Sequence, residues 1–261
     1  MNETKTVKPV KRERDDSGFW KIDKLLRLGN PPMMPSDYEK VPFLSDEEKA
    51  LGAEWFKRFM SPAYEWGLGK GEMPEIDRIW FTNSWQSIAL DPALNAAYVQ
   101  YFDNLVTLVT GFDGNDELMS ATTRTKGVDS TEKRHDPDVR RRYANAMLMI
   151  LAIAAELNNT FWLRMMIVVP TEKEADKNGS YCISAEKAAL LLRPESSVWT
   201  DEEGLVLQFT YAVMRDEMTD ALWDRAIAAW NEKEAMRNLL WIGNYMGIMK
   251  CTNALSRRKE W

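Results

Sequence analysis

Apolar residues along the chain recur every three or four positions in long stretches, separated by short polar breaks rich in Pro, Gly and Asp. That period belongs to helices with one buried face, and no segment keeps a period of two, so the predicted fold class is all-α. Ser45-Asp46-Glu47-Glu48 has the form of a capping box, and the helix it opens carries Leu51, Trp55 and Phe59. After a loop marked by Gly67, Gly69 and Gly71, Pro74 opens a second helix through Ile76, Ile79, Trp80 and Ile88. Asp91-Pro92 joins an N-cap to a Pro at the first helical position, and its helix runs through Leu94, Tyr98, Tyr101, Leu105 and Leu108 to Gly111. Residues 111–136 are polar and predict a loop with one short helix near 116–123.

Asp136-Pro137 repeats the start signal. From Tyr143 to Met166 the sequence is apolar nearly all round, which predicts one long helix at the centre of the fold. Residues 170–180 form an exposed break. Ser184 caps a short helix through Leu192, stopped by Pro194. Thr200-Asp201-Glu202-Glu203 is a second capping box, for a helix to about Asp216. Thr219 starts the next, through Trp223, Ile227 and Trp230, and the last runs from about Glu232 to Ser256. Residues 1–42 read as an arm and extended segment: the first stretch is charged without apolar period, and Pro31, Pro32 and Pro35 forbid regular helix. Lys5, Lys8, Lys11, Arg12 and Arg14 leave that arm open to solvent or to an anionic partner. Residues 43–261 read as a single all-α domain.

Composition narrows the function. A net charge of -6 speaks against a nucleic-acid-binding face, which would carry a basic excess. No apolar run approaches the roughly 20 residues of a membrane span, and the N-terminus lacks the apolar stretch of a signal peptide. A cytoplasmic protein with Cys182 and Cys251 both reduced is expected. Trp 11 and Met 15 are high counts, so a cavity would be lined by large, polarisable side chains. With His 1 and Cys 2, no zinc-ligand spacing exists; phosphate loop, nucleophile elbow and dinucleotide fingerprint are missing too. The chemistry to expect uses neither metal nor organic cofactor.

From Arg193 onward the segment RPESSVWTDEEGLVLQFTYAVMRDEMTDALWDRAIAAWNEKEAMRNLLWIGNYMGIMKCTNAL resembles the carboxymuconolactone decarboxylase-like family. The shared parts are Trp199-Thr200 before an acidic helix start, Trp223 in the next helix, and Gly243-Asn244-Tyr245 near the end. Upstream, IALDPALNAAYVQYFDNLV looks like that family's opening helix, so the likeness spans roughly residues 75–257. It implies a helical bundle assembling as a homo-oligomer, a trimer or hexamer, with pockets near subunit contacts. Longer members carry Tyr-Glu-Trp-x-x-His at the end of the central helix, and peroxidase-type members Cys-x-x-Cys-x-x-x-His. Keeping the helices in order sets this site on residues 160–165, where only Trp162 survives. Phe161 replaces the Glu and Met165 the His, and in the peroxidase spacing Asn158 and Phe161 stand at the Cys positions. Two other registers, Gly179 to Glu186 around Cys182 and Tyr64-Glu65-Trp66 followed by Gly69, match the family less well.

Other groups could carry the reaction. Glu156 follows Leu151-Ala152-Ile153-Ala154-Ala155, where desolvation would raise its pKa into the range of a general acid or base; pairing with an Arg is the alternative. Tyr245 could donate a proton or hydrogen bond, and Gly243 and Gly247 permit close helix approach. His135 could fold over the pocket and titrate near neutrality. Asn158 and Asn159 could hold a carbonyl, or cap a helix end. Trp162, Met165 and Met166 would shape the pocket wall or fill the core, and Tyr101 stands one helix away with Tyr98. Arg140, Arg141 and Arg142 read as a solvated first turn or an anion clamp. Two functions are expected. One is a cofactor-independent proton-transfer enzyme, of decarboxylase, lyase, isomerase or dehydratase type, acting on a hydrophobic, aromatic or polycyclic small molecule. The other is a non-catalytic ligand-binding or scaffold protein.

Overall fold

The computed structural model describes residues 39, 41–55, 91–111, 136–159, 163 and 183–255. Among them the chain forms helices α1 (Asp46–Trp55), α2 (Pro92–Thr110), α3 (Pro137–Glu156), α4 (Ala185–Ala189), α5 (Asp201–Arg215) and α6 (Asp220–Leu255), and no strand occurs. Helix α3 packs against α2, α5 and α6, which also pack on one another in part, while α1 leans on α2. The reason lies in its composition: every residue from Leu148 to Ala154 is at most 1% exposed, so α3 has no solvent face over two turns. Each buried Leu, Ile or Met there contributes about 1.5–3 kcal/mol of transfer free energy.

The start signals work as the sequence predicts. Asp91 and Asp136 accept from amides of the first turn, each followed by Pro. Thr200 and Glu203 make both bonds of the capping box, as do Ser45 and Glu48. Ser184 caps α4, which ends at Ala189 rather than Leu192. Helix α2 closes at Gly111 with φ 82, and a Cβ there would meet the Arg142 guanidinium at 2.5 Å.

Two boundaries differ in kind from simple periodicity. The long helix expected to reach Met166 stops at Glu156. Asn158 takes φ 48, its N–H donates to the Ala155 carbonyl, and the Asn159 N–H reaches back to Ala154; this is a Schellman ending, with Asn in place of the usual Gly. The polar pair Asn158-Asn159 thus outweighs the apolar run around it. Leu163 is helical and donates back to Asn159. Helix α6 is interrupted at Asn231 (φ 64, ψ 165), whose side chain accepts from the Glu234 amide and so caps a second arm, 232–255. Thr219 caps the first arm, 220–230. The expected division after Trp230 is therefore present, made by a cap rather than a loop.

Candidate functional site

The expected site residues fall into separate places. Glu156 ends α3 beside α5, and Arg215 donates to both its oxygens at 2.8 Å. The Arg215 hydrogen bond holds the Glu156 carboxyl below its ordinary 4.5, outweighing the desolvation that pushes it up. The raised pKa expected from the apolar run is corrected: the run is buried, but its last residue turns outward to a cation. The same guanidinium lies over the Tyr211 ring at 4.8 Å, while the Tyr211 hydroxyl donates to Leu191. Glu156 is thus an ionised, bidentate partner at the helix edge.

Asn158 is exposed, and its left-handed backbone is its task. Asn159 is buried, and its amide donates to the Met249 carbonyl (3.4 Å) and to Asn253 (3.1 Å). Asn253 in turn donates to Leu157. This amide pair clamps the end of α3 to the second arm of α6. Tyr101 lies on the outer face of α2, 46% exposed. His135, Trp162, Met165 and Met166 lie outside the described residues, as do the helix expected after Pro74 and Cys182. Gly243 and Gly247 are exposed with open space where a Cβ would stand, so among the described residues no neighbour uses their close approach.

Tyr245 is buried, in a ring array that joins α2 to α6. Its ring is 4.7 Å from Trp241 and 6.0 Å from Phe102; Phe102 stacks on Trp241 at 6.2 Å and on Tyr98 at 6.0 Å. The Trp241 indole N–H donates to the Ala146 carbonyl of α3, which fixes the array against the central helix. At one end the Tyr98 hydroxyl donates to Asn244 Oδ1 at 3.2 Å. Burial pushes the Tyr98 phenol well above its ordinary 10.0, with the Asn244 bond acting the other way; the group stays protonated at neutral pH. The amide nitrogen of Asn244 is buried without a partner, and so are both polar atoms of the fully buried Asn95, one turn before Tyr98. The seam therefore combines a continuous aromatic wall with one amide N–H, that of Asn244, left without a partner. Leaving a buried donor or acceptor unmade costs about 1–3 kcal/mol, so each such group calls for an explanation.

Sequence reasoning passed over Asn95 and the side chain of Asn244. The signal for Asn95 was present: on the face 95, 98, 102, 105, 109 it is the one amide among rings and aliphatics. Arg141, expected either in a solvated first turn or as an anion clamp, binds Glu234 through two bonds (2.9 and 3.0 Å), Glu202 at 3.2 Å and Asp138 at 2.8 Å. Asn145 adds a bond to Glu202. An anion clamp it is, but for its own chain's carboxylates.

No protein-family model matches the chain, and no curated protein or solved structure matches it. Among the described residues, no helix is long and apolar enough to cross a membrane, and no group of three His, Cys, Asp or Glu could hold a metal ion.

Proposed function

We propose that the protein binds a small, largely apolar molecule with one polar head group at the seam between α2 and the second arm of α6. The carrying observation is the unused amide hydrogen of Asn244, set in a wall of aromatic rings and fixed by the Tyr98 hydroxyl. Rings supply contact area and a few convergent polar groups supply orientation, the usual division of labour in ligand sites. The carboxymuconolactone decarboxylase-like resemblance, through Trp199-Thr200, Trp223 and Gly243-Asn244-Tyr245, supports the same placement, since Tyr245 belongs to the array. The homo-oligomer it implies would give a use to exposed Leu94 and Leu108 on α2 and Met236 and Leu240 on α6. Calorimetry with an apolar phenol such as 1-naphthol tests the proposal. Asn244→Leu is expected to weaken binding about tenfold, one hydrogen bond's worth, while Asn104→Ser, on the exposed face of α2, leaves it unchanged. Equal affinity in Asn244→Leu would refute the assignment.

A catalytic reading, cofactor-independent proton transfer on an aromatic or polycyclic substrate, is favoured by one feature of the same site. The Tyr98 hydroxyl bonded to Asn244 Oδ1 polarises that amide, making its N–H a stronger donor to an oxygen on which negative charge develops. Glu156 is not the base in this reading, because Arg215 holds it ionised outside the seam. Incubating the protein with aromatic acids, lactones and enones, with product mass analysis, separates the readings. Conversion abolished by Tyr98→Phe supports catalysis; saturable binding without conversion supports a non-catalytic carrier or scaffold.

A further inference from the structure

The outward faces of α2 and of the second arm of α6 carry almost no charge. On α2 the exposed positions 94, 97, 101, 104 and 108 follow at steps of three and four, and Leu94, Tyr101 and Leu108 project from them. Asp103 is the one charged residue among the 19 of that helix. On the second arm the exposed positions from 236 to 247 are Met236, Leu240, Gly243 and Gly247, at steps of four, three and four. Of the seven large apolar side chains exposed among the described residues, five stand on these two stripes. Both helices rest on α3 and on each other, so the stripes turned away from α3 lie side by side in one layer. Charge borders the arm's stripe only at its ends, with Glu232 and Lys233 at one and Lys250 at the other.

Two helices of about 28 Å, with axes about 8–10 Å apart, present roughly 600 Å² in projection. That is the upper end of what a monomer leaves apolar and exposed. Two such faces together reach the roughly 1,200 Å² at which stable, specific interfaces begin. An anionic lipid surface would call for lysine or arginine beside the apolar stripe, and α2 has neither. A partner chosen by charge would find nothing to pair with. The face does match itself. It sets a ridge, Leu94, Tyr101 and Leu108, beside a trough, Gly243 and Gly247, where a Cβ would meet open space. Phe102 lies against Trp241 and Tyr245, while Tyr98, one turn earlier, reaches Asn244 and feels Cys251, so the helices run antiparallel. Tyr101 is then level with Gly243, and Leu108 with Met236.

We propose that this face binds a second copy of the chain about a two-fold axis running along the layer between α2 and the second arm, each ridge seated in the other's trough. Such an isologous contact buries the same patch on both subunits. It also covers the edge of the seam, where Tyr98 and Asn244 are each half-buried.

Sedimentation equilibrium of the full chain at about 1–100 μM tests this, and a mass of two chains is expected. Salt should leave the association intact, because no ion pair makes it. Gly243→Glu should weaken it at least about a hundredfold by placing a charge in the trough. Its melting temperature in dilute solution should not fall, since the position is open and Gly is a poor helix former. Leu192→Glu, at an exposed apolar residue off the face, should leave the dimer unchanged. If Gly243→Glu does not fold, Tyr101→Glu replaces it with the same expected loss. A monomer at 100 μM, a trimer (which has no two-fold axis), or a dimer untouched by either face variant overturns the proposal. So does a monomer that co-sediments with phosphatidylcholine vesicles, which would give the face to lipid.

Discussion

Replacing Arg141 with Met would leave Glu202 and Glu234 facing each other where helices begin, with Asp138 still paired to Arg142 at 2.9 Å. Asp138, Glu202 and Glu234 lie in the first turns of α3, α5 and the second arm of α6, positions where a carboxylate complements the positive end of a helix. Arg141 is what allows them to share one place. Its side chain is 29% exposed and that of Glu234 only 13%, between the exposed pairs worth about 0–1 kcal/mol and the buried ones whose rupture costs about 3–5 kcal/mol. Glu202 and Glu234 bind the same Nη1 at 3.2 and 2.9 Å, so their oxygens are about 6 Å apart at most. At an effective dielectric near 20 their bare repulsion would be about 3 kcal/mol. Arg141→Met is therefore expected to lose about 2–3 kcal/mol in urea unfolding at neutral pH followed by circular dichroism, or about 5–10 °C in Tm. Adding Glu234→Gln to that variant should recover about half of the loss, because it removes the least solvated orphan charge, and molar salt should shrink the remainder. A loss below about 0.5 kcal/mol, or a further loss on adding Glu234→Gln, would show that the cluster is merely a solvated surface array.

The Glu156–Arg215 pair predicts an asymmetry: Arg215→Met should cost about 1 kcal/mol, since it strands a carboxylate at the negative end of α3, while Glu156→Gln should be near neutral because it also removes that unfavourable charge. Glu156 and Asp138 are both held below their ordinary values of 4.5 and 3.8 by arginine hydrogen bonds. Their stabilisation is thus fully present above those values and lost as pH falls through and below them; acid unfolding curves should steepen there, and Arg215→Met should flatten the Glu156 part. Asn158→Ala should destabilise by about 1 kcal/mol in thermal melts and Asn158→Gly should not, because the position needs a left-handed backbone. At Asn231 the same comparison carries a cap as well: Asn231→Gly relieves a backbone cost of about 1–3 kcal/mol while giving up only a few tenths for the cap, whereas Asn231→Ala keeps the cost and loses the bond to Glu234. Chemical denaturation that ranks Ala above Gly there would contradict the strain argument.

What the sequence made legible was local. Capping chemistry at Ser45, Asp91, Asp136, Ser184 and Thr200 depends on neighbours three residues away, and each start signal forms the predicted bonds. The central place of α3 followed from an apolar surface with no polar side. Side-chain fates depending on distant partners were not legible. Glu156 meets Arg215, 59 positions on, and Arg141 meets Glu234, 93 positions on; nothing in the local pattern distinguishes those arginines from solvated ones. The candidate site divided for the same reason. Tyr245 packs into the core, whereas Asn158 and Asn159, adjacent in sequence, part company: one turns to water to reverse the backbone, the other inward to Asn253.

The early end of α3 has an electrical consequence. Had the helix continued to Met166, its row of peptide dipoles would have terminated well beyond the clamp at Met249 and Asn253. Stopping at Glu156 instead sets its electron-rich tip beside the second arm of α6, where the Asn253 amide donates to the Leu157 oxygen, so a polar hydrogen of that arm meets the negative end of the dipole row.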